Sequence, residues 1–101
     1  MRGSRSGRPI MALLDLLGRR WALRVLWELR EEGLTFRELQ ERCEGMSSSV
    51  LSQRLNELRE AGVVLHMDGA GYHLTEDGRD LLEALLPLHT WAERWAMGPP
   101  G

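Results

Sequence analysis

GMSSSVLSQRLNELREAG, running from Gly45 to Gly62, is the stretch on which the fold turns. Ser47 is a good N-cap and Gly62 a good stop, so a helix over about 48–61 is predicted between them. With helical spacing, Leu51, Leu55 and Leu58 gather on one side of it. Ser49, Ser52, Gln53 and Asn56 gather on nearly the opposite side. The Gly45-Met46-Ser47 run before the helix is a tight turn. Before that, Thr35-Phe36-Arg37-Glu38 has the form of a capping box, a Thr N-cap answered by Glu three residues on. It opens a short helix that carries Phe36 and Leu39 and stops before Gly45. Helix, glycine-containing turn, helix is a helix-turn-helix pattern.

After Gly62 the period changes to that of a strand. Val63, Leu65 and Met67 alternate with Val64 and His66, Asp68-Gly69-Ala70-Gly71 signals a turn, and Tyr72 to Leu74 return. A hairpin centred on Gly69 and Ala70 sets His66 opposite His73. A hairpin following the helix-turn-helix is the winged-helix order, so the predicted fold is mainly α with a small β-hairpin wing.

Working outward, Pro9 is placed to open a helix that ends near Leu17, before Gly18. A second helix is predicted over Arg19 to Glu31, ended by Gly33. It is apolar on two sides: Trp21, Ala22, Val25, Leu26 and Leu29 on one, Leu23 and Trp27 on the other. One of those sides is available to a partner subunit. At the far end, Thr75-Glu76-Asp77 starts the last helix with an N-cap and two acids suited to the helix dipole. Leu81, Ala84, Leu88, Trp91 and Trp95 form one stripe on it, Leu82 and Leu86 another, and Pro87 is expected to kink or break it. The domain boundaries expected are a basic arm over 1–8, a winged helix over 9–97 and a tail over 98–101.

The chain has 101 residues, enough for one domain. A chain of this size buries only about two-thirds of its unfolded surface, so a second copy would add useful core. All 13 basic residues are arginine against 15 acids, for a net charge of −2, which excludes a uniformly basic nucleic-acid binder but not a locally basic one. Cys43 is the one cysteine, consistent with a reducing cytoplasm, and no apolar run approaches the roughly 18 residues of a membrane span. Residues 1–8 have no apolar core and do not resemble a secretory signal.

The uncharged stripe carries the functional expectation. Gln and Asn can pair bidentate with adenine and Ser can bond to several bases, so Ser49, Ser52, Gln53 and Asn56 suit the reading of base edges in double-stranded DNA. Arg54, Arg37, Ser47 and Ser48 are the candidates for backbone contacts, with the amides at the two helix starts. Gly69, Ala70 and Gly71 are the candidates for wing contacts, and Arg2, Arg5 and Arg8 could add charge from the arm. A polar, solvated face is the plain alternative for the stripe. The surrounding helix-turn-helix and hairpin favour DNA.

Several runs resemble the HxlR-type winged helix-turn-helix transcriptional regulators of bacteria. They are Leu16-Leu17-Gly18-Arg19-Arg20-Trp21, Phe36-Arg37-Glu38-Leu39, Gly45-Met46-Ser47 with Val50-Leu51-Ser52-Gln53-Arg54-Leu55 and Glu57-Leu58, Gly62-Val63-Val64, and Tyr72-His73-Leu74-Thr75-Glu76-Asp77-Gly78. Together they cover about residues 9–96. The resemblance implies a homodimer joined through its N- and C-terminal helices, with paired recognition helices in successive major grooves of a pseudo-palindromic operator. Repression by occluding a promoter is the simplest action for so small a dimer. The chain departs from the family where many members carry a cysteine, sometimes a sensor of electrophiles or oxidants, before the first proline; here Arg8 stands there. Ser49 and Asn56 stand where the family often has basic residues, and Asp68 lies at the wing tip. Modest non-specific affinity is the consequence.

Other residues have competing readings. Trp21, Trp27, Leu88, Trp91 and Trp95 suit core or dimer-interface packing, and could alternatively line a pocket for a small aromatic effector. His66 and His73 could offer two imidazoles, but a stable zinc site wants three or four ligands, so neither a metal nor another cofactor is expected. Cys43 has the default role of a small buried hydrophobe, with Arg42 alone to favour a redox switch. No nucleophile elbow, phosphate loop or acid–base set is present, so no enzyme activity is expected. A winged helix used only for protein interaction is the remaining alternative.

Overall fold

The computed structural model describes residues 8–98. Its elements follow as α1 (Pro9–Leu17), α2 (Ala22–Glu28), α3 (Phe36–Arg42), α4 (Ser48–Glu60), β1 (Val64–Met67), β2 (Gly71–Leu74) and α5 (Glu76–Ala96). The expected contributions of Arg2 and Arg5 lie outside the described residues, as does most of the tail. No helix among the described residues is long and apolar enough to cross a membrane.

Short-range hydrogen bonds start the helices as their sequences require. Thr35 Oγ1 accepts from the Glu38 N–H at 3.1 Å, and Glu38 Oε1 accepts from the Thr35 N–H at 2.9 Å, completing the capping box of α3. Ser47 Oγ accepts from the Val50 N–H at 3.2 Å and caps α4. Thr75 Oγ1 accepts from the Gly78 N–H and also donates to the Gly62 carbonyl at 2.6 Å, so one hydroxyl starts α5 and ties it to the end of α4.

The second helix is shorter than its apolar pattern suggests. It begins at Ala22 and ends at Glu28, not at Arg19 and Glu31. Trp21 adopts φ +77°, in the left-handed region, and turns the chain between α1 and α2. At the other end the Leu29 N–H bonds to both the Val25 and Leu26 carbonyls, and the Arg30 guanidinium donates to the Trp27 carbonyl. The last turn is thereby closed well before Gly33.

Leu51, Leu55 and Leu58 of α4 enter the core with Val25, Leu26 and Leu29 of α2, Leu39 of α3, Leu34, Val64 and Leu74. Burying one such leucine stabilises by roughly 1.5–3 kcal/mol. Three on one side of α4 therefore set its rotation and turn the opposite face outward.

The wing is an antiparallel pair with register Val64↔Leu74, Leu65↔His73, His66↔Tyr72 and Met67↔Gly71. This is one residue away from the register expected, so His66 and His73 do not face each other. The turn closes with the Ala70 N–H on the Met67 carbonyl at 2.9 Å, and Leu34 joins the pair in this register. It bridges Tyr72 through hydrogen bonds of 2.9 and 2.7 Å and adds a third segment to the pair. Gly71, at φ +81°, lies so close to the Leu34 carbonyl that a Cβ would collide with it. His66 lies against Tyr72, with ring centroids 4.5 Å apart. His73 Nε2 donates to the Ala70 carbonyl at 2.9 Å, and the ring occupies the space where a side chain at Gly33 would stand. The expected alternation also fails at the start: Val63 and Val64 are both buried, while Met67 is exposed.

Pro87 does not break α5, which continues from Glu76 to Ala96. Proline removes one donor from the ladder, and this part of α5 is exposed, where water can satisfy the freed carbonyl.

Candidate nucleic-acid interface

The turn between α3 and α4 places Ser47 at the mouth of α4, where its hydroxyl holds the Val50 N–H and lies 3.3 Å from Ser49 Oγ. Ser48, Ser49, Ser52, Gln53 and Asn56 are all exposed. They occupy the outward side of a helix whose opposite side is the leucine stripe. The surface they make has donors and acceptors but no charge. Arg37, on the first turn of α3, has a side chain 91% exposed and only a loose pair with Glu41 at 3.7 Å. Gly69 and Ala70 are exposed at the wing tip, beside Asp68.

Two residues expected at this surface are elsewhere. Arg54 is turned inward, its side chain 14% exposed. Its Nε donates to the Arg20 carbonyl at 2.8 Å and its Nη1 pairs with Glu57 at 2.5 Å, while Glu57 also pairs with Arg19 at 2.8 Å. These bonds brace α4 against the α1–α2 turn and leave the guanidinium no free route to a phosphate. Gly71 is buried against Leu34, so the exposed wing tip ends before it.

Arg59 escaped the sequence reading. It is exposed, lies three positions after Asn56 and seven after Ser52, and its side chain has no hydrogen bond or ion pair among the described residues. The signal was the spacing itself, since seven residues come within about 20° of two full helical turns.

The tryptophans do not meet in one pocket. Trp21 is half-buried at the α1–α2 turn with the Arg20 guanidinium 5.8 Å from its ring. Trp27 packs against the Arg30 guanidinium at 4.1 Å and stacks with His89 at 4.8 Å. Trp27 and Leu88 share a shallow groove of about 340 Å³ between α2 and α5, with Leu23, Leu82 and Leu85. Trp91 and Trp95 stack on each other at 6.0 Å on the exposed half of α5. Cys43 is buried at the end of α3, and burial pushes its thiol pKa up. Among the described residues, no group of three or more His, Cys, Asp or Glu could hold a metal.

This geometry has close relatives. The family described as HxlR-like helix-turn-helix matches residues 16–99. An uncharacterized HTH-type transcriptional regulator of Methanocaldococcus jannaschii is 29% identical over 84% of this chain and 83% of its own length. The uncharacterized HTH-type transcriptional regulator YvaP of Bacillus subtilis is 31% identical, over 81% and 82%. Among solved structures, quinone-bound YodB from B. subtilis superposes with a TM-score of 0.79 at 30% identity, covering 86% of this chain and 98% of that one. A possible HxlR family transcriptional factor from Thermoplasma volcanium also gives 0.79, at 26% identity over 90% and 87%. Family match, relatives and superposed folds agree with the α3–turn–α4 unit and the wing: the chain belongs to the HxlR-like helix-turn-helix family and is a DNA-binding transcriptional regulator.

Proposed function

We propose that the protein acts as a homodimer on a pseudo-palindromic operator and represses by occluding the promoter. The observation that carries the base-reading part is the exposed, uncharged face of Ser49, Ser52, Gln53 and Asn56, held outward by the buried leucines behind it. Gln53 and Asn56 suit bidentate contacts to adenine in the major groove, and Ser49 and Ser52 single contacts beside them. Ser47 orders the start of α4, Ser48 and Arg37 serve the backbone, and Gly69 and Ala70 let the wing tip approach the duplex closely. Two-fold symmetry then sets half-sites about one helical turn apart, or a multiple of it. No catalytic role is assigned to any residue.

Selection of bound fragments from the source genome, followed by gel retardation at two salt concentrations, tests this reading. Affinity that falls steeply with salt is expected. Absence of retardation even at low salt would overturn it in favour of a protein-interaction module. On a selected operator, Gln53→Ala is expected to relax preference at one base position.

The α2–α5 groove of Trp27 and Leu88 favours a second, compatible reading in which a small aromatic effector gates binding. The similar YodB, solved with quinone bound, supports it. Trp fluorescence titrated with a panel of planar aromatics should show saturable quenching. A flat response across the panel would count against the effector.

A further inference from the structure

We propose that Arg59, rather than Arg54, is the cation with which α4 holds the DNA backbone. The inference rests on DNA binding through the α4 face proposed above and names a contact that face otherwise lacks. Ser48, Ser49, Ser52, Gln53 and Asn56 supply no positive charge, and the arginine nearest them on the same helix is consumed internally. Arg59 is the remaining arginine of α4. It is nearly in line with Ser52 and about 10 Å further along the axis, a spacing that lets a long side chain lie along the groove wall while the serine and amide side chains meet its floor.

Its freedom sets it apart. Arg19, Arg24, Arg30, Arg37, Arg42 and Arg54 all face carboxylates. Arg59 does not, although Glu60 adjoins it in sequence. Consecutive helical residues point about 100° apart, so Glu60 falls in line with Ser49, Gln53 and Asn56 while Arg59 stands at the Ser48–Ser52 edge of the polar face. At that edge the cation is turned about 100° from the acid, toward a groove wall where the phosphates lie. Arg20, Arg79 and Arg94 have no carboxylate partner among the described residues either, but they belong to the α1–α2 turn and to α5, off this face. Arg54 becomes a positioning residue: through Glu57 and the Arg20 carbonyl it fixes α4, and so the direction in which Arg59 points.

An arginine in the last turn also complements the helix dipole, and that purely structural role gives a different signature. Wild type, Arg59→Gln and Arg59→Lys are titrated with a labelled random-sequence duplex between about 50 and 200 mM salt, and their melting temperatures compared. The expected result for Arg59→Gln is a salt slope smaller by about 1 per bound protomer and, at low salt, binding weaker on the order of tenfold. Its melting temperature should stay near wild type, and Arg59→Lys should restore the slope. An unchanged slope in Arg59→Gln overturns the assignment, whether or not melting shifts. Failure of the wild type itself to bind would overturn the underlying DNA reading, and would be visible before any variant is compared.

Discussion

Cys43 has no exposed surface, and burial is the largest influence on its thiol, raising the pKa above the ordinary value; the Arg24 charge opposes this. Because the thiolate is the reactive species, full burial and a raised pKa both favour the role of a core side chain. Alkylation by iodoacetamide at neutral pH is expected to be slow in the folded protein and fast in urea. Equal rates in the two states would contradict this. Glu38 shows the opposite shift. The Thr35 N–H, followed by the Thr35 side chain, holds its carboxyl below the usual carboxylate range. A folded-state pKa below the unfolded value means that the contribution is present above the unfolded pKa and is lost as pH falls through the folded one. The stability gap between wild type and Glu38→Gln should therefore shrink as pH drops below about 4, and thermal melts at several pH values would show it. A gap that is constant with pH would remove the charge from the explanation.

At the scale of elements, hydrogen bonds between near neighbours in sequence were readable and long-range ones were not. The caps at Thr35, Ser47 and Thr75 each involve a partner three residues away, and all three are present as the sequence implies. The hairpin also pairs with Leu34, which lies far outside it. Alternation in residues 63–74 reveals neither that partner nor the turn closed by the Ala70 N–H on the Met67 carbonyl, which shifts the register by one residue and separates His66 from His73. Gly69 and Gly71 isolate the contribution of the Leu34 contact. Both have positive φ, 77° and 81°, so alanine should incur a similar backbone penalty at each. A Cβ at Gly69 meets open space, whereas one at Gly71 meets the Leu34 backbone. Gly71→Ala should therefore destabilise by about 1–3 kcal/mol more than Gly69→Ala in chemical denaturation. Equal losses would show that the close approach of Gly71 to Leu34 carries no cost.

At the scale of the molecule, the described chain leaves much apolar surface open. Ile10, Met11 and Leu14 on α1 are exposed, as are Leu86, Leu88, Trp91 and Trp95 on α5, with Trp95 at 70%. A second copy covering these helices would remove that surface from water and bring two α4 faces to one duplex. Replacing both Leu88 and Trp91 by Glu should shift the protein to monomer in sedimentation equilibrium and weaken operator binding at least tenfold, about 1.4 kcal/mol. The protein would be shown not to act as a dimer if the wild type sedimented as a monomer at concentrations that saturate its operator.

By itself, the sequence determined the caps, the leucine stripe of α4, the uncharged face opposite it and the order helix-turn-helix then hairpin. All of these depend on partners within a turn or two, or on a periodicity that burial enforces. Tertiary structure alone decided the turn at Trp21, the pairing of the wing with Leu34 and which arginine of α4 is free. In each case the deciding partner is distant in sequence or the backbone conformation runs against local preference. Arg54 and Arg59 illustrate the division: the same side chain on the same helix is a brace in one case, because Arg20 and Glu57 reach it, and an open cation in the other, because nothing among the described residues does.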